Sequence, residues 1–139
     1  MLLQSQNIMK KNLDKILAEI SAGELIDKIT ILNIKKEKIT NNEKLVEIEK
    51  ELKSLKDTFN KKIIPDNSLL ELMEQLKKIN LMLWDIEDGK RNAEKNKKFD
   101  ERFIELARNV YKFNDERAKI KLKINNLLGS NIKEVKSYD

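Results

Sequence analysis

Apolar positions recur at helical spacing along nearly the whole chain. The cleanest run lies between Ser68 and Arg91, where Leu69, Leu72, Leu76, Ile79, Leu83 and Ile86 alternate steps of three and four. An α-helix places all six on one seam, and some partner surface must cover it. Beside that seam runs a second row, Met73, Asn80, Trp84, Glu87 and Arg91, which starts apolar and ends charged.

The same rhythm predicts three more helices. Ser21 and Glu24 have the spacing of a capping box, and the helix it opens carries Leu25, Ile26, Ile29, Leu32 and Ile39 on one stripe. Ile31 and Ile34 point to the far side, so this helix is apolar on more than one flank and reads as central. A second box, Thr40 to Glu43, precedes Leu45, Ile48, Leu52, Leu55 and Phe59. Pro65 disfavours helix for Ile64, and Asp66, Asn67 or Ser68 (the last boxed with Glu71) can cap the helix that follows. After a basic link at Lys95 to Lys98, the series Phe99, Phe103, Leu106, Val110, Phe113, Arg117, Ile120, Ile124, Leu127 keeps its spacing with one polar exception, Arg117. Gly129 supplies a helix stop, and Ile132, Val135 and Tyr138 are expected to fold back on the bundle. At the other end Met9, Leu13, Ile16, Leu17 and Ile20, interleaved with Lys10, Lys11, Asp14, Lys15 and Glu19, predict a short amphipathic helix over 8–20.

The fold expected is all-α: two long antiparallel helical hairpins, at about 22–62 and 68–128, forming a four-helix up-down bundle with helices roughly 20° apart. Hairpins that close only as a dimer are the alternative. Residues 1–20 form an N-terminal arm or short helix, 21–129 the bundle, and 130–139 a tail.

Composition agrees. The 139 residues are 38% charged and 5% aromatic with three glycines and one proline, which suits long helices and leaves few tight turns. The chain has no cysteine and no histidine, so disulfides, thiolate chemistry, the common zinc sites and the usual general base near neutral pH are all absent. The net charge of +5 is spread among interleaved signs, whereas a nucleic-acid binder concentrates Lys and Arg on one face. Lys90, Arg91, Lys95, Lys97 and Lys98 gather at one hairpin tip, with Lys119, Lys121 and Lys123 further along, but Glu94, Asp100 and Glu101 dilute them, and a solvated bundle end is the expectation. No run approaches the roughly 18 apolar residues that cross a bilayer, and the N-terminus lacks the pattern of a signal peptide, so the expected location is cytoplasmic.

With a turn near 96–98, facing positions of the second hairpin sum to about 194. Asn80 then lies level with Asn114, and Trp84 with Val110 and Tyr111. Arg117 falls on the seam and needs a carboxylate, for which Asp27 and Glu24 are candidates, or a route to water. The bland reading is a register-setting polar residue; the sharper one is a small-anion pocket of Asn80, Tyr111, Asn114 and Arg117 with Asp27. Glu24 with Asp27, and Asp85 with Glu87 and Asp88, are the carboxylate groupings dense enough to consider for a magnesium-type site, although Lys28, Lys90 and Arg91 offer surface pairing instead. Trp84 is expected to plug the core.

The segments GELIDKITILNIKKEKI at 23–39, LWDIEDGKR at 83–91, FIELARNVYKFNDERAKIKLKINNLLGS at 103–130 and EVKSYD at 134–139 resemble, in order, an uncharacterised family of small all-helical bacterial proteins, a domain of unknown function. The first twenty residues are the least typical part. The resemblance implies no established activity, so no residue role carries over. The function expected is a non-enzymatic helical interaction module that binds a protein partner or self-associates, without a cofactor. The alternative is a helical bundle for a small anion or nucleotide-type ligand, or for metal-dependent hydrolysis.

Overall fold

The computed structural model describes residues 12–137. Four helices make the fold: α1 Ala22–Lys38, α2 Asn42–Lys62, α3 Asn67–Asn96 and α4 Glu101–Leu128. Each starts where a side-chain oxygen takes a backbone amide of the first turn, which satisfies one of the donors a helix leaves unpaired. Ser21 caps α1 through the Glu24 amide, Asn41 caps α2 through Lys44, Asp66 caps α3 through Leu69, and Asp100 caps α4 through Phe103. The cap of α2 is therefore Asn41 rather than Thr40, and of the three candidates for α3 it is Asp66 that caps. Glu24 does not complete a box, because its carboxylate is drawn across to Lys121. At the far ends, Lys97 closes α3 and Gly129 closes α4 in the left-handed region, with φ of 55° and 63°.

The helices form a four-helix bundle organised around α1, which packs against each of the other three. One cluster joins Ile26 of α1 to Leu69, Leu76 and Ile79 of α3 and to Ile120 and Ile124 of α4. A second joins Leu25, Ile29 and Leu32 to Ile48 and Leu52 of α2. The two apolar flanks of α1 thus serve two different layers. α2 packs on α1 alone among the helices, reaching the first cluster only through Phe59 and Ile63 near its end. Its single apolar stripe accounts for this: Ile48 and Leu52 are its only buried residues, and Lys, Glu and Asp dominate its other faces.

Arm and tail depart from expectation. Residues 12–20 carry no helix, and Leu13, Ile16 and Leu17 are more than 80% exposed. An isolated helix this short is marginal in water unless its apolar face is covered. The remainder of the expected 8–20 helix lies outside the described residues. The tail does return along α4, but through charges: Glu134 pairs with Lys121 and Lys136 with Asp115, while Val135 faces solvent and Ile132 is partly exposed. Tyr138 lies outside the described residues.

Candidate functional site

The N-terminus of α1 is built into the C-terminal third of α4. Gly23 donates its amide to Asn125 Oδ1 at 2.6 Å, and Ala22 donates to Ser130 Oγ at 3.1 Å. A Cβ on Gly23 would lie 2.6 Å from the Lys121 carbonyl oxygen, so only glycine permits this approach. One turn further on, the docking places Asp27 of α1, fully buried, against the same helix.

Asp27 gathers three helices. Arg117 donates to it from Nε at 3.1 Å to each carboxylate oxygen and from a terminal nitrogen by a shorter contact; Asn80 donates from Nδ2 at 2.9 Å. Arg117 also reaches Asn114 Oδ1 at 3.4 Å. Next to this group Lys121, itself buried, donates to Glu24 at 2.7 Å and Glu134 at 2.9 Å, with Asp27 at 3.8 Å. The cluster holds two cations and three carboxylates, and no buried side-chain polar atom among the described residues lacks a partner. Burial draws the Arg117 and Lys121 pKa values down, but hydrogen bonds to Asp27 for Arg117, and to Glu24 and Glu134 for Lys121, with the surrounding carboxylate charge, outweigh it and raise both.

Beyond this ionic floor the bundle opens. A cleft of about 450 Å³ lies between the C-terminal half of α1 and the α3–α4 hairpin. Its floor is Asn80, Asn114 and Arg117; its walls are Ile31 and Ile34 of α1 with Leu83 and Trp84 of α3; its rim is Glu87, Asp88 and Arg91. Trp84 is half-buried and forms a wall rather than a core plug. The opening reflects where the core stops: the buried residues of α4 all fall between Ile120 and Asn125, and none from Glu101 to Lys119 is buried.

Of the residues singled out in the sequence, Asn80, Asn114, Arg117 and Asp27 meet at the floor. Tyr111 does not join them; it is 58% exposed and lines no part of the cleft. Glu24 and Asp27 are held by Lys121 and Arg117, while Glu87 and Asp88 stand apart at the rim, so these four carboxylates do not converge. Among the described residues no group of three or more acidic side chains is arranged to hold a metal ion. Sequence reasoning missed Lys121 as a buried cation, Glu134 as its partner, and Asn125 and Ser130 as acceptors for the N-terminus of α1. For Lys121 there was a signal, since it lies one helical turn after Arg117 on the same face.

The model of a family of unknown function, DUF6165, matches residues 16–139. The chain belongs to this family. The matched span takes in all four helices, the Asp27 cluster and the cleft, and begins within the arm. No curated protein and no solved structure matches the chain.

Proposed function

We propose that this DUF6165 protein is a non-enzymatic helical interaction module, and that the cleft beside Trp84 is where an apolar protein segment docks. The observation that carries this reading is the pairing of apolar walls with a floor whose cation is already paired. Arg117, the one cation at the floor, is already neutralised by Asp27, and Lys121 is shared among carboxylates. A bound anion would face a cluster with one carboxylate more than its cations, which disfavours the anion-pocket alternative. The part-buried Ile31, Leu83 and Trp84 instead offer surface that gains by being taken out of water, and the floor leaves guanidinium and amide N–H groups for a neutral carbonyl.

Site-directed photo-crosslinking tests the reading. With Trp84 replaced by p-benzoyl-L-phenylalanine, the full chain in its native cells is expected to cross-link to one defined segment, identified by mass spectrometry. The adduct should be lost when Leu83→Glu places a charge in the wall. Absence of any adduct that depends on Leu83 overturns the reading.

A further inference from the structure

We infer that the segment received by the cleft is the N-terminal arm of a second copy of this chain; this rests on the reading of the cleft as an interaction site. Among the described residues, two apolar surfaces are left wholly or partly open to water by the fold. One is the cleft. The other is the arm, where Leu13, Ile16 and Leu17 are 83%, 81% and 88% exposed at helical spacing with the half-exposed Ile20. Exposed apolar side chains grouped this closely mark a contact surface rather than scattered surface residues.

Charge matches the two. Lys10, Lys11 and Lys15 outnumber Asp14 and Glu19 along the arm, and Glu87 and Asp88 outnumber Arg91 on the cleft rim. The arm also fits within the length of the cleft. From Asn80 to Arg91 the cleft follows α3 for about 16 Å, and Leu13 to Ile20 as a helix would span about 10 Å. Seating the apolar row supplies the burial that a short helix needs in order to form.

The arm of the same copy is directed elsewhere. Lys15 lies in the groove that α1 shares with α2, beside Glu47 and Glu51, and Glu19 accepts from Asn131 Nδ2 at 2.6 Å. That flank of α1 is not the one that faces the cleft. Two copies that exchange arms fill both clefts at once and close on a two-fold axis, with no surface left to extend the assembly.

The full chain is tested by sedimentation velocity across a wide range of concentration, with the emission of Trp84, the only tryptophan, read on the same samples. The wild type is expected to pass from monomer to dimer with a blue shift of Trp84. Leu13→Glu with Leu17→Glu alters two exposed positions and should leave the circular dichroism of the bundle intact, keep Trp84 unshifted and weaken dimerisation more than about tenfold. Asp88→Lys should weaken it in the same direction. A dimer that the arm substitutions leave unchanged overturns the inference while the interaction reading stands on another segment. A wild type that stays monomeric throughout also overturns it, whether Trp84 is shifted by its own arm or not shifted at all, and the interaction reading then rests on the position-84 cross-link.

Discussion

Asp27 on α1 and Arg117 on α4, ninety residues apart in the chain, form an ion pair whose carboxylate is wholly removed from water while its guanidinium stays partly exposed. The pair divides the interior in two. On the side of the α1 N-terminus the helices close on Ile26, Leu76, Ile79, Ile120 and Ile124; on the other side they part around the cleft.

Removing one partner strands the other. Arg117→Met leaves Asp27 buried with Asn80 and with Lys121 at 3.8 Å, and is expected to lower unfolding free energy by about 3–5 kcal/mol in urea denaturation. Replacing both, as Asp27→Leu with Arg117→Met, should recover most of that loss, because paired charges of this kind add little over apolar groups that fill the same space. A double variant as unstable as the single one would show that the pair itself stabilises the bundle.

Gly23→Ala tests the docking of α1 on α4. The added methyl would meet the Lys121 carbonyl oxygen at 2.6 Å and Asn125 Oδ1 at 2.9 Å, so the helix must shift and its capping contacts loosen. A loss of about 1–3 kcal/mol is expected. Gly129→Ala has open space around it and meets only the left-handed backbone, with a cost of about 1–2 kcal/mol from that alone. Denaturation midpoints of the two variants compare a steric cause with a conformational one.

Lys121 makes the stability depend on alkaline pH. Its folded pKa is raised, so its ion pairs contribute fully below the unfolded value of about 10.4 and are lost as pH climbs through the folded value. The stability advantage of the wild type over Lys121→Met should therefore be constant at neutral pH and shrink above about pH 10.4. Thermal melts of both proteins across that range measure it. Arg117, also raised, stays charged throughout.

Much of this architecture is legible in the sequence because helix periodicity and burial are both local in origin. The seam from Leu69 to Ile86 and the two-flanked character of α1 follow directly from spacing. The antiparallel register follows from turn position: Gly89 meets Leu106, a sum of 195 against the expected 194 or so. The row Asn80, Trp84, Glu87, Arg91 is the α3 side of the cleft. What spacing does not carry is which competing partner wins. Tyr111 and Asn114 are neighbours in sequence, yet only Asn114 turns inward. Glu24 has capping-box spacing, yet a buried ammonium from across the bundle outcompetes its own helix end. Leu13, Ile16 and Leu17 of the arm have an amphipathic rhythm, yet all three stay exposed.

Collisional quenching of Trp84 tests the open cleft most directly. In dilute protein, where copies do not meet, acrylamide should quench the tryptophan to a degree between that of a free indole and a core residue, and Ile31→Trp in a Trp84→Phe background should report the same access from the opposite wall. Emission that acrylamide barely touches at either position would mean that the helices close beyond Asp27 and Arg117, and would contradict the account.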